Sequence, residues 1–458
     1  MNNYILLCTS ICVLILGIFF YKLFGSNINS PTVISCFVFG IGSFIAYFGN
    51  QKWNMLITWT IFDVLLLAMF SMSFGEYLAR MIYQIRTSGM VYRHTIDKII
   101  YIIPKNIILI FVLIGIIADI LYYVRMCQIA HVGYSDFWGM LSRINLARHQ
   151  SEERTGTLIA CLNVLHSCVW GYFTLAYINN IIVEGKIAVK KYIRYISLLP
   201  SYIFSIVIGG SRIFFISVIS FVIFSYLLLN RRYNDLNIKH KTFKTLMKIL
   251  AIAIVGLYIL FSFMGKQSGK INDRTNAFDS FMIYAGSSIT DLNLYLEAGI
   301  VRTNTPGRLT FSGLFNTVGR FISIPQGNNV KMGYILLGNG ILTNIYTAFA
   351  MYLSDFGWIG FVLIQSILGI IYTITFLYIE TTQKLSNAMM VYLVFFLYGL
   401  IGQLFSAETT AGLLTVNDIF GMMVYFILYC TFDKWFSYRI YSEETGNNKL
   451  VFKDDKLL

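Results

Sequence analysis

Charge is what this chain has little of. Asp, Glu, Lys and Arg make up 12% of its 458 residues, where an ordinary soluble domain carries roughly 25%. A chain so poor in charge, and 57% hydrophobic, needs lipid as its solvent. Apolar runs near or above the roughly 20-residue spanning length recur from the N-terminus to about residue 432, which leaves no room for a separate soluble domain. Other absences exclude chemistry. There is no Walker A sequence, no dinucleotide-binding glycine pattern, no His-Glu-x-x-His and no Gly-x-Ser-x-Gly, so cytosolic nucleotide chemistry has no seat. The cysteines (Cys8, Cys12, Cys36, Cys127, Cys161, Cys168 and Cys430) include no Cys-x-x-Cys pair and no metal spacing; they read as small core residues. No repeat of solenoid length is visible. Residues 1–24 lack a basic leader and a small-residue cleavage site, and read as a first spanning helix.

What is present reads as an all-α, polytopic membrane protein. Hydropathy places about eleven spans, at 4–24, 32–49, 55–74, 99–123, 157–182, 193–208, 211–229, 246–264, 356–379, 388–406 and 414–432. The net charge of +13 does not signal nucleic acid, because the basic residues sit in short loops between apolar runs. Three loops carry most of them: Arg80, Arg86, Arg93 and Lys98; Lys186, Lys190, Lys191 and Arg194; Arg231, Arg232, Lys239, Lys241, Lys244 and Lys248. The positive-inside rule makes these loops cytoplasmic. The N-terminus is then outside, and the polar tail 433–458 is inside as a frayed end.

The polar segments 124–156 and 265–355 and the turns at 209–212 and 407–413 then face outward. Nine of the sixteen arginines lie on that face (Arg125, Arg143, Arg148, Arg154, Arg212, Arg274, Arg302, Arg308 and Arg320), against four of the nineteen lysines. The positive-inside rule does not distinguish the two residues, so the sorting needs another cause. Arginine's rigid donor fork suits phosphate and carboxylate oxygens, which lysine does not match bidentately. Arg212 stands between two apolar runs, beside Gly209, Gly210 and Ser211; it either snorkels to headgroups or receives an anion.

Within the first external segment, Ser135 or Asp136 is an N-cap for an amphipathic helix with Phe137, Trp138, Leu141 and Ile144 on one face, lying in the interface. His131 and His149, which flank it, read as surface residues. In the second, 290–299 reads as a helix capped by Thr290 and ended by Gly299. Asp355 falls at the outer start of the 356–379 span, as a helix cap or a catalytic acid.

Asn344-Ile-Tyr346-Thr, Tyr352-Leu-Ser-Asp-Phe-Gly-x-x-Gly360, Gly307-Arg-Leu-Thr-Phe311 and the Gly210-Ser211-Arg212 turn together resemble the Wzy-type polymerases. Arg302 to Gly313 and Arg308 to Gly319 also match an Arg-x₁₀-Gly spacing of that family. These enzymes join lipid-linked oligosaccharide repeat units of O-antigen or capsule at the outer face of the bacterial cytoplasmic membrane. The resemblance implies a GT-C-like fold, a donor and an acceptor carried on undecaprenyl diphosphate, and no cofactor or metal. As partners it implies a flippase and a chain-length regulator of the same pathway. Arg212 then stabilises the departing diphosphate; Arg143, Arg148, Arg302, Arg308, Arg320, Gly210, Ser211, Asn344 and Tyr346 line the substrate. The base for the acceptor hydroxyl comes from Asp355, Asp291, Glu297 or Glu408, with Asp355 leading. Two alternatives are an O-antigen ligase, for which a histidine in 265–355 is expected and none occurs, and a flippase or other transporter, which calls for ionisable residues deep in helices. Such charges are few here: Asp63 is the clearest, with Asp119 toward the outer end of its helix.

Overall fold

In a computed structural model, residues 2–87, 98–150, 155–210, 213–233, 256, 277–319, 322, 335–338, 341–343, 345–406, 408–412, 414–441 and 451–452 are described. The main helices are α1 (Tyr4–Leu23), α2 (Pro31–Trp53), α3 (Trp59–Thr87), α4 (Lys105–Ala130), α5 (Phe137–Gln150), α6 (Thr157–Glu184), α7 (Leu199–Gly209), α8 (Ile213–Tyr233), α9 (Ala277–Glu297), α10 (Ser312–Val318), α11 (Ala348–Thr381), α12 (Asn387–Leu397) and α13 (Val416–Leu428). Short strands β1 (Lys98–Tyr101), β2 (Ile335–Leu337), β3 (Ile341–Thr343), β4 (Ser437–Tyr441) and β5 (Val451–Phe452) complete a nearly all-α chain. Eight of the described helices are long and apolar enough to cross a membrane; two shorter apolar segments, Ile193–Gly209 and Asn387–Gly402, coincide with two further expected spans. The span expected at 246–264 lies, but for Gly256, outside the described residues.

The helices are built for lipid. On α4 the buried positions Ile108, Gly115, Ala118, Asp119, Tyr122 and Met126 recur at helical spacing on one face. The opposite face leaves Leu109, Ile110, Leu113, Ile117 and Ile120 exposed. The small and polar residues Gly115, Ala118 and Asp119 thus point inward and most of the large aliphatic ones outward, the pattern of a helix whose solvent is hydrocarbon.

The chain folds as two compact units, the first made of residues 1–92, 278–378 and 396–418 and the second of 93–277, 379–395 and 419–458. In the first, α3 and α11 cross at backbone contact: Gly75 lies on the Ser366 carbonyl and Gly369 on that of Met72, and neither leaves room for a Cβ. Helix α3 runs to Thr87 rather than ending near 74, because the acid that looked like a loop residue is fully satisfied. Glu76 is buried and accepts from Ser30 Oγ (2.7 Å), Thr32 N (3.1 Å) and both Nε and Nη2 of Arg80 (2.8 and 2.7 Å). A buried charge survives in an apolar setting only when paired and hydrogen-bonded in this way.

In the second unit the span expected from residue 99 begins instead with β1, which pairs antiparallel with β4 of the tail. Asn179 and Asn180 of α6 also hold it, with Asn180 donating to Tyr101 O (2.7 Å) and accepting from Tyr101 N (3.0 Å), and Asn179 donating to Ile99 O (2.7 Å). Pro104 then begins α4. The start of the tail is accordingly ordered structure rather than a frayed end. At the C-terminal end of α8, Arg232 donates to the carbonyls of Ile379 (2.5 Å) and Gln383 (3.0 Å), closing a helix terminus that otherwise leaves carbonyls bare.

Candidate functional site

The long segment after α9 is anchored in the first unit by a small apolar core. Trp53, Met282 and Leu337 are buried together, with Ile45, Met55, Ile283, Leu294 and Ile335 packed around them. This fixes the β2–β3 hairpin against α2 and α9. Polar contacts fix the same end: Asn293 donates to Leu56 O (2.9 Å) and accepts from Thr58 N (3.0 Å), and Lys52 pairs with Asp279. Helix α9 starts at Ala277 rather than at Thr290, so Thr290 is interior and caps nothing; the end of the helix matches, with Gly299 at φ +84°.

On this platform the 302–310 turn is stapled to α11. Helix α11 begins at Ala348, eight residues earlier than the hydropathy run, and breaks at Gly357 (φ 65°, ψ −165°). Asp355 therefore sits in the second turn of the first part of α11, two residues before the break that precedes its long apolar part. Its two carboxylate oxygens are taken up by the turn: Oδ1 accepts from Thr303 Oγ1 (2.7 Å) and Oδ2 from Thr310 N (2.6 Å). Thr303 N donates to Ser354 O (3.1 Å), and the Ser354 hydroxyl meets Tyr295, which also donates to Val301 O (3.1 Å). Gly307 (φ +84°) lies against Phe356 and Phe311; a Cβ there would come within 3.2 Å of the Phe356 ring. Asp355 is buried, with both oxygens engaged.

The same turn presents two arginines. Arg302 is exposed and lays its guanidinium over Gly357, at the one position in α11 with non-helical backbone. Gly357 is required twice over, since φ and ψ there are nearly confined to glycine and a side chain would occupy the guanidinium's place. The second part of α11 starts at this break, so the guanidinium lies at the N-terminal, positive end of that part's dipole. Among the described residues no carboxylate pairs with Arg302. Arg308 is partly buried.

Tyr346 is buried beside Asp291, and burial first, then that carboxylate, pushes its phenol up to about 12. Asp291 is itself fully buried. Its Oδ2 accepts from Thr343 Oγ1 (3.0 Å), which also meets Ser287 Oγ (3.1 Å) and accepts from Ile345 N (3.3 Å), while Oδ1 has no hydrogen-bond partner among the described residues. Burial drives its pKa well above the ordinary carboxylate value, against the weaker opposing effect of the Thr343 and Ser287 hydroxyls. The folded state therefore binds a proton that the unfolded chain has already released above about pH 3.9. Stability contributed by this group is present at low pH and is lost as pH rises through the folded-state value. Thermal unfolding in detergent is expected to show wild type losing stability with rising pH in that window, and Asp291→Asn, which keeps the neutral shape, losing this part of the slope. An unchanged slope contradicts the assignment.

Comparisons with protein-family models, curated proteins and solved structures return no match. The site stands on its geometry alone.

Of the residues named from the sequence, Asp355, Arg302, Arg308 and Tyr346 fall in the first unit around α11 and the turn bound to it. In the second unit Arg143 is exposed on α5, whose N-terminus is capped by Asp136 accepting from Gly139 N (2.8 Å). Arg148 lies on the same helix. Gly210 takes up the left-handed φ of +66° that ends α7. Ser211, Arg212, Arg320 and Asn344 lie outside the described residues. Thr303 carried no signal of its own; Thr310 and Gly357 stand in the Gly307–Phe311 and Tyr352–Gly360 motifs, which gave them no role.

Proposed function

We propose that this chain polymerises undecaprenyl-diphosphate-linked oligosaccharide repeat units, of O-antigen or capsule type, at the outer face of a bacterial cytoplasmic membrane. The observation that carries the reading is the Arg302–Arg308 turn, locked onto Asp355 at the break in α11, in a chain whose long helices suit a bilayer. The donor is already activated because diphosphate is a good leaving group, so neither ATP nor another cofactor is needed. The protein's task is to neutralise the departing diphosphate, to accept a proton from the acceptor hydroxyl, and to hold two lipids in register. Arg302, next to a positive helix end, supplies a bidentate donor fork for phosphate oxygens. Arg308 adds to the same charge, and Arg212, Arg143, Arg148 and Arg320 are the further arginines expected on the outer face.

Asp355, with both oxygens engaged by the turn, acts in this reading by positioning Arg302 and Arg308. Of the other candidate acids, Asp291 is buried, the side chain of Glu408 lies outside what is described, and Glu297 is exposed at the end of α9 with Thr58 on one oxygen (2.7 Å); the base role goes to Glu297. A flippase and a chain-length regulator of the same pathway are the partners this activity calls for. A ligase is disfavoured by the lack of histidine in 265–355.

The reading needs the 302–310 turn outside the cytoplasm. A reporter active only in the extracytoplasmic space, fused after Thr303, is expected to be active, and the same reporter fused after Asn234 to be silent. The reverse pattern contradicts the reading.

A further inference from the structure

One turn before the glycines that end α7, the second unit holds an acid and an imidazole that the polymerase reading does not use. Asp119 of α4 is buried and accepts from two serines of α7, Ser201 Oγ (2.5 Å) and Ser205 Oγ. His166 of α6 is buried too, with Nδ1 3.8 Å from Asp119 Oδ1. That separation is within ion-pair range and beyond hydrogen-bond range. Neither ring nitrogen has a hydrogen-bond partner among the described residues, although a neutral imidazole carries one donor and one acceptor that burial leaves costly to neglect.

The surroundings hold the ring in this place. Gly115, one turn before Asp119 on the same face of α4, lets the imidazole and Ser201 press against the helix backbone; a Cβ would lie 3.0 Å from His166 Nε2 and 3.2 Å from Ser201 Oγ. Tyr202 stands edge-on to the imidazole at 5.7 Å and stacks on Trp170 at 4.5 Å.

We propose that Asp119 and His166 bind one proton between them inside the membrane-spanning part of this unit. With the proton from solvent on the imidazole, both nitrogens become donors, and a small rotation turns the 3.8 Å approach into a charge-assisted hydrogen bond to a carboxylate already held by two hydroxyls. Ionisable residues within spanning helices pair with one another in this manner. Ser205 is four residues from Gly209, a rise of roughly 6 Å, so the proton's path from the end of α7 is short.

Among the described residues no other charge competes at the pair. From α4 the nearest titratable group is the Tyr122 phenol, which lies by Gly209. From α7 it is Tyr202, whose hydroxyl meets Ser167 (3.2 Å). Cys168 of α6 lies by Gly421 of α13. Helix α5 turns Phe137 to Phe204 and leaves Arg143 exposed. Helix α8 brings Phe221 to Trp170, and the 193–198 turn sends Tyr195 to Ile103.

The test uses the full chain in lipid nanodiscs, with His94, His131, His149 and His240 each changed to Gln, so that ¹⁵N-labelled His166 is the sole imidazole. Between about pH 8 and pH 5, the range in which histidine changes charge, its ring nitrogens are expected to pass from the neutral to the imidazolium pattern. The dipolar contact between Nδ1 and Asp119 Cγ should strengthen over the same range. In Asp119→Asn the ring should stay neutral. A ring neutral throughout with Asp119 intact, a contact of unchanged strength, or equal charging in Asp119→Asn overturns the proposal. The first two readings need no change at Asp119, so a misfolded Asn variant leaves the test intact. No glycan substrate is involved, and the result is independent of whether the chain is a polymerase.

Discussion

Arg302→Ala is expected to leave the protein in the membrane at normal abundance and to remove long glycan chains, so that cells display single repeat units. A donor aimed at charge that develops in the transition state contributes on the order of 10²–10³ in rate, and Arg302 has two features that put it in that class. Its guanidinium is exposed without an acid partner among the described residues, and it lies at the break where the second part of α11 begins. Arg302→Lys should recover only part of the loss, since an ammonium supplies the charge but not the planar fork. Arg212→Ala is expected to give the same phenotype, from its place in the external arginine set. Glycan ladders on gels read both. A normal ladder from Arg302→Ala removes the diphosphate role of the turn.

Asp355→Asn is expected to have the next largest effect, and its kinetic form separates two roles. With the amide oxygen kept on Thr310 N–H, the amide nitrogen donates to Thr303 Oγ1, whose hydrogen turns to Thr305 O (3.2 Å). Two hydrogen bonds to a charged acceptor then become neutral ones, a cost on the order of 1–3 kcal/mol, enough to loosen the turn that carries Arg302 and Arg308. If Asp355 positions the arginines, the loss appears mainly as weaker binding of the lipid diphosphate, a KM effect of roughly ten- to a hundredfold. The pH dependence of the rate at saturation is then unchanged, and Thr303→Ser, which keeps the hydroxyl, is close to wild type while Thr303→Val follows Asp355→Asn. If Asp355 is instead the base, kcat falls, the acidic limb of the pH profile disappears and Thr303→Val has little effect. Glu297→Gln should produce that second pattern.

The spanning helices were legible because run length and hydropathy alone decide them, and α1, α2, α6 and α8 lie close to their expected places. Their ends were less so. Glu76 and Arg80 looked like loop charges because only the folded chain brings Ser30 and Thr32 to the carboxylate, 46 and 44 residues away. Strand β1 was hidden in an apolar run because its partner β4 is a tail segment with no strand signal of its own. In the site, residue type and placement singled out Arg302, Arg308 and Asp355. The role of Asp355 was not legible, because its partners Thr303 and Thr310 lie 52 and 45 residues away and a threonine in a polar loop carries no mark of what it will bind. Asp119 could be noted as a charge in an apolar run, but its pairing with Ser201, Ser205 and His166 depends on three helices meeting at Gly115.

The central claim is chain growth on a lipid diphosphate. Its most direct measurement supplies the purified protein, in lipid and without nucleotide or metal, with undecaprenyl-diphosphate-linked repeat units from a candidate host pathway, and separates the lipid-linked products by size. The account predicts products of two, three and more repeat units with release of undecaprenyl diphosphate, and their loss in Arg302→Ala. Repeat units that are recovered unextended by active, folded protein across the candidate substrates, or merely moved across the bilayer, contradict it.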